Sequence, residues 1–271
     1  MSRPPLAPSG LLLAYDCSTD RLPEHLAKVF VRLDHDRETQ EWIADSQKRP
    51  HGFFAIGAWK LLRTLMSDFD ANGMLGTHDM FVLSTAHWQV LLESDSALSV
   101  LDIGAGDGAV TEKIASFSTE VTTTETSSRM AKRLRERGWI CHEVNLVDDP
   151  IPSDATYDRV LLLNVIDRTD RPLTLIERAR DLLASNGELV VCAPMPLRPH
   201  VQEGSARREP LEALPAAAQS WEKAAADLAM YAIEPLGLRV KKLARAPYLC
   251  RGDSRHPVSE LDLAIFVCER A

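Results

Sequence analysis

Between residues 99 and 108 an apolar run, Ser99-Val100-Leu101-Asp102-Ile103, breaks into three glycines at alternate positions, Gly104, Gly106 and Gly108, with Asp107 among them. Residues 109–117 follow with an amphipathic pattern. That order predicts a buried strand, a tight turn and a helix N-terminus. Glycines allow positive φ and let a ligand approach the main chain, and a helix start supplies unpaired N–H groups. Such a loop suits a nucleotide-like cofactor. Polar side chains capable of chemistry then fall at the ends of the strands read after it. They are Glu125 after 120–125, Asn145-Leu146 after 139–144, and Asn164 with Asp167 after 157–164.

Two cofactors fit the loop. Gly104, Gly106 and Ala109 satisfy the dinucleotide pattern Gly-x-Gly-x-x-Gly/Ala. Asp102-x-Gly104-x-Gly106-x-Gly108 is also the loop found under S-adenosylmethionine in class I methyltransferases. Asp107 favours the second, because a carboxylate repels a pyrophosphate, whereas the sulfonium and amino group of S-adenosylmethionine are cationic. Glu125, ending the next strand, is placed to take both ribose hydroxyls. On this reading Asp102, Gly104, Gly106, Gly108, Glu125, Asn145, Leu146 and Asn164 bind S-adenosyl-L-methionine, with Asn145-Leu146 at the adenine. NAD and NADP are expected not to bind.

The bulk composition bounds the partners. The 271 residues are 45% hydrophobic and 26% charged, so one large domain or two modest ones can bury a core. A net charge of −8 argues against nucleic acid, which needs a basic face, and tolerates a cationic or histidine-rich peptide. The five cysteines, 17, 141, 192, 250 and 268, contain no Cys-x-x-Cys pair, which points to a reducing compartment rather than disulfides or a metal site. Leu11-Leu12-Leu13-Ala14 is too short for a signal peptide, and no apolar run reaches about 18 residues. A cytoplasmic protein that meets no membrane is expected.

Residues 1–14 read as a flexible tail. Residues 15–96 read as an N-terminal helical region that packs on the core, with helices over 23–33, 39–46 and 53–66. Residues 72–82 form a glycine-punctuated loop, and Ser84 caps a helix leading into the first strand. His78 and His87 lie here, and a single loop or helix histidine is more commonly structural than catalytic. Residues 97–271 form the core, with strands at 99–103, 120–125, 139–144, 157–164 and 188–193 and helices between them. A mobile loop is expected at 204–215, then an alanine-rich helix through Trp221 and Tyr231. The last strands, 238–249 and 261–269, have no helix between them and must pair antiparallel as a hairpin. The fold class is therefore α/β. It is a class I methyltransferase Rossmann-like sheet, mostly parallel with an antiparallel C-terminal hairpin, preceded by an N-terminal helical extension.

Three segments carry a family resemblance: Asp102-Ile-Gly-Ala-Gly-Asp-Gly108, Asn164-Val-Ile-Asp-Arg168 with Pro172-Leu-Thr-Leu175, and Pro247-Tyr-Leu-Cys-Arg-Gly-Asp253. Together they resemble the protein-histidine N-pros methyltransferases, the DREV family. The loop Asn72-Gly-Met-Leu-Gly-Thr-His-Asp-Met-Phe-Val82 looks like that family's segment ahead of the core. The likeness runs from about Tyr15 to Val267. The N-terminal apolar signal of animal members is missing, and 254–259 departs from their tyrosine-rich pattern.

The resemblance implies methyl transfer from S-adenosylmethionine to Nδ1 of histidines in His-x-His stretches of peptides or proteins. Asp167 is then the carboxylate that accepts Nε2–H and leaves Nδ1 bare. Asn164 holds the cofactor's methionine part or the ring, and Tyr248 lines the cofactor pocket. The core motifs alone also admit a small-molecule methyltransferase, or a catalytically silent fold used as a binding subunit.

Overall fold

A computed structural model describes residue 11 and residues 13–49, 79–93, 98–152, 154–203, 206–252 and 255–271. Its strands are β1 (Met80–Phe81), β2 (Ser99–Ile103), β3 (Glu120–Glu125), β4 (Ile140–Glu143), β5 (Tyr157–Leu163), β6 (Leu183–Pro194), β7 (Val201–Glu203), β8 (Ala206–Arg208), β9 (Leu238–Arg251) and β10 (Val258–Arg270). Its α-helices are α1 (Glu24–Lys28), α2 (Arg37–Lys48), α3 (Thr85–Leu92), α4 (Thr111–Ala115), α5 (Ser128–Glu136), α6 (Pro172–Asp181) and α7 (Trp221–Leu228).

Eight strands form one sheet in the order β1-β9-β10-β6-β5-β2-β3-β4. Strands β4, β3, β2, β5 and β6 run parallel. β10 inserts antiparallel between β6 and β9 and completes the C-terminal hairpin. The expected α/β sheet, mostly parallel and closed by an antiparallel hairpin, is thus present. The continuous apolar runs of β5 and β6 follow from burial on both faces. Val160 and Leu162 join the core on one face, and Leu161 and Val190 the core on the other. Those runs hold the strands rigid, and their carboxyl ends carry the site.

The N-terminal region supplies both cores. Leu22 and Leu26 pack with Trp221 and Leu228 on one face, whereas Tyr15, Leu33 and Ile43 pack with Phe81 and Trp88 on the other. Leu13, inside the expected tail, is buried as well. The helix expected over 23–33 stops at Lys28, and the chain turns extended. Val31 N–H donates to the Leu243 carbonyl at 2.7 Å, and Leu243 N–H to the Val29 carbonyl at 3.0 Å. The physical reason is an open edge. β1 covers β9 only at Leu249 and Cys250, and β-forming Val29-Phe30-Val31 fills the backbone further along.

The helix expected over 39–46 is α2, which begins earlier because Asp36 caps it and accepts from Thr39 N–H at 2.9 Å. Ser84 caps α3 as expected, accepting from His87 N–H at 3.0 Å. The amphipathic stretch 109–117 is helical only over α4. The helix of Trp221 continues past α7 as a single π turn, Ala229–Ile233. Within 204–215, expected as a loop, β8 pairs with β7, and Glu212 ties down Thr174 through its N–H (2.9 Å) and hydroxyl (2.5 Å). The third helix (53–66), most of the 72–82 loop and His78 lie outside the described residues.

Candidate active site

A cavity of about 570 Å³ opens where β2, β3, β4 and β5 end, within the range of small-molecule sites. The glycine loop forms its floor. Gly104 and Gly106 have φ of 71° and 60°, values that side chains disfavour. The turn is held by N–H groups of Gly104 and Ala105 donating to the Thr124 carbonyl at 2.9 and 3.2 Å. A Cβ on Gly104 would come within 3.2 Å of the Val165 methyl, so its hydrogen keeps the cavity floor open.

Glu125 is buried at the wall and locks the loop to the next helix. Its Oε2 accepts from Gly106 N–H at 2.9 Å, and Oε1 accepts from Thr126 and Ser127 N–H at 2.8 and 3.0 Å. Each carboxylate oxygen has about two acceptor positions, so Oε2 keeps one for a ligand hydroxyl. Asn145 and Leu146 line the cavity beyond β4. Asn145 Oδ1 accepts from Val147 N–H at 3.2 Å and its Nδ2 donates to Asp148 at 2.6 Å, which fixes the loop.

Asp102 is fully desolvated. Its Oδ2 accepts from the Thr111 hydroxyl at 2.5 Å, and its Oδ1 has no hydrogen-bond partner. Burial, reinforced by the nearby Glu125 charge, pushes its pKa up to about 7. Asn164 leaves β5 with φ of 59°, a left-handed conformation that asparagine tolerates better than most residues. It faces the cavity with Oδ1 buried and unpartnered. A wall with two orphaned acceptors suits a ligand that brings N–H groups and positive charge. S-adenosylmethionine carries both, so these residues fit it.

Tyr248 also lines the cavity, its buried hydroxyl donating to the Met80 sulfur. Burial holds its phenol far above the usual range.

Three residues sit elsewhere than the sequence suggests. Gly108 does not line the cavity. Its φ is 79°, and a Cβ there would lie 2.5 Å from Trp139 and 2.9 Å from Leu134, so its role is close packing of the loop on α5. Asp107 folds back to accept from Ala109 N–H at 3.0 Å and is also absent from the lining. Asp167 is buried but outside the lining. Arg168 Nε stands 3.8 Å from its Oδ2, Oδ1 has no partner, and burial raises its pKa. His87, for its part, bonds the Asp34 carbonyl at 2.8 Å and packs on Tyr15, a structural use.

Sequence reasoning missed the far wall. Arg168, Asp170 and Arg171 line it, together with Gln202 and Arg208 of the β7–β8 hairpin. The signal for the first three was present, since they directly follow Asp167. The hairpin was hidden by its Arg/Glu/Pro-rich composition. Among the described residues no group of three or more His, Cys, Asp or Glu could hold a metal ion, and no helix is long and apolar enough to cross a membrane.

Comparison with known proteins extends this picture. The chain is 31% identical over 123 residues to a non-reducing polyketide synthase of Stereocaulon alpinum, covering 40% of this chain and only 5% of that protein's length. Solved structures similar in fold include the N-methyltransferase NodS from Bradyrhizobium japonicum WM9 in complex with S-adenosyl-L-homocysteine. It is 18% identical with a TM-score of 0.41, over 68% of this chain and 84% of that one. A TehB-like SAM-dependent methyltransferase from Corynebacterium glutamicum is 11% identical with a TM-score of 0.46, over 70% and 89%. The model of the DREV methyltransferase family matches residues 14–270, spanning the N-terminal region, the glycine loop and the C-terminal hairpin alike. The chain belongs to the DREV methyltransferase family and is an S-adenosylmethionine-dependent methyltransferase.

Proposed function

We propose that the enzyme methylates Nδ1 of histidine in His-x-His stretches of peptides or proteins. The observation that carries this reading is the pair of orphaned acceptors at the end of β5, Asn164 Oδ1 and Asp167 Oδ1. S-adenosylmethionine supplies an electrophilic methyl on a sulfonium. Asp167 Oδ1 accepts Nε2–H of the acceptor imidazole, which fixes the tautomer with its lone pair on Nδ1. The same carboxylate holds the positive charge that grows on the ring as the Nδ1–methyl bond forms and the methyl–sulfur bond breaks. Its raised proton affinity then lets it take the Nε2 proton from the methylated ring. Asn164 orients the ring or the methionine part of the cofactor. Because Asp167 lies outside the lining, the imidazole reaches its Oδ1 only with a local rearrangement at the end of β5.

The test is to incubate a His-Ala-His peptide, alongside small amines and phenols, with methyl-labelled cofactor and assign the modified nitrogen by mass spectrometry. Methylation at Nδ1 is expected. Asp167→Asn should slow it by about 10²-fold or more at little-changed cofactor affinity. Methylation at Nε2, preference for the small molecules, or near-normal rates with Asp167→Asn would each defeat the proposal.

A further inference from the structure

The far wall of the cavity carries more positive than negative charge, although the whole chain is acidic. Arg168, Arg171 and Arg208 line it with one carboxylate, Asp170. Asp170 is already engaged, accepting from Arg208 at 2.6 Å and from Leu211 N–H at 3.0 Å, a latch that holds the hairpin against the end of β5. Arg168 sits 3.8 Å from Asp167, longer than a charge-assisted hydrogen bond of about 2.8 Å. The Asp167 charge is moreover the one assigned to the imidazole. Arg171 is exposed and makes no ion pair among the described residues. It acts on Asp170, whose direct ion pair is with Arg208 at 2.6 Å. On the loop after β4, Asp148 is bonded to Asn145 at 2.6 Å.

An exposed guanidinium that lines the cavity and makes no ion pair among the described residues is a site for a carboxylate from outside. From this geometry we infer that Arg171, with Arg168 beside it, selects acceptors bearing an acidic residue next to the target histidine. This rests on the histidine-peptide reading above. The alternative source of a carboxylate is the cofactor's own methionine end, so the test must separate the two.

Steady-state methylation is measured on three peptides with one His-Ala-His core flanked by Glu, Gln or Lys, using wild type, Arg171→Gln and Arg171→Glu. S-adenosylmethionine affinity is measured by calorimetry on each protein. In wild type the Glu-flanked peptide should have a KM about fivefold below the Gln-flanked one, the size of one partly exposed ion pair. That ratio should fall to about one in Arg171→Gln, and the preference should turn toward the Lys-flanked peptide in Arg171→Glu. Each ratio is internal to one protein, so partial misfolding does not mimic it. Equal KM values in wild type, or a preference that survives both variants, overturns the inference. Weakened cofactor binding with the ratio intact assigns Arg171 to the methionine carboxylate and also overturns it. If the cofactor binds and no peptide is methylated, the histidine reading has failed and this inference falls with it.

Discussion

Asp102 shows how a binding residue sets a pH dependence. Unfolded, an aspartate titrates near 3.9, whereas burial moves this one from 3.8 to about 7. Between those values the folded chain keeps a proton that the unfolded chain has released, so stability falls as pH rises from about 4 to 7. Above 7 the loss is complete and levels off. From pH 5 to pH 8 the group should remove about 2–3 kcal/mol from cofactor-free protein. Urea unfolding of wild type and Asp102→Asn at both pH values checks this, and parallel pH profiles for the two proteins would refute it. Glu125 poses a binding question. Removing its carboxylate deletes charge-assisted hydrogen bonds of about 2–3 kcal/mol and releases the Gly106 tie. Glu125→Ala should bind S-adenosylmethionine at least tenfold more weakly in calorimetry, and an unchanged affinity would put the ribose elsewhere.

The glycine loop separates two jobs that its sequence pattern merges. Gly104 keeps the cavity floor clear of Val165, while Gly108 lets the loop close on Trp139 and Leu134. Alanine at Gly108 meets a left-handed φ, about 1–2 kcal/mol, and an overlap that forces repacking, about 1–3 kcal/mol. Gly108→Ala should therefore lose roughly 2–5 kcal/mol of stability. Gly104→Ala meets the same left-handed φ penalty of about 1–2 kcal/mol. Its closest contacts, at 3.2 and 3.3 Å, are however the methyls of one valine, so its stability loss should be the smaller and its loss of cofactor affinity the larger. Denaturant titration and calorimetry on both proteins give the pattern, and the reverse assignment would disprove it. At this scale much was legible. Strands β2, β5 and β6 announce themselves by apolar runs and β3 by its β-branched Val-Thr-Thr-Thr run, and the last two runs lack an intervening helix. What stayed hidden depends on distant partners. The stop of α1 follows from the open edge at Leu243, β1 from pairing at Cys250 and Leu249, and the β7–β8 hairpin from its latch on Asp170. No local pattern encodes those, and Asp167 stands outside the lining for the same kind of reason, since the fold around a residue decides what it faces.

Taken whole, the N-terminal region and the sheet share their hydrophobic cores. Arg245 on β9 stacks over Trp221 at 5.3 Å, pairs with Asp262 on β10 and donates to the Asp16 carbonyl at 3.0 Å, tying the N-terminal strand-like segment to the sheet. Leu26 on α1 is 0% exposed and shares its core with Leu189 of β6. A helical extension merely resting on a finished domain would melt separately and tolerate a cavity under it. A region built into the core would not. Leu26→Ala should cost about 2–4 kcal/mol, which lowers Tm by roughly 5–15 °C for a chain of this size. The loss should be of the same order as that of Leu189→Ala, with one transition in each case. Scanning calorimetry decides between the two pictures. A second transition, or a Leu26→Ala melt within about 1 °C of wild type, would mean that the N-terminal region is detachable. If instead both variants melt early and together, the segment ahead of the glycine loop is part of what holds the cofactor floor in place.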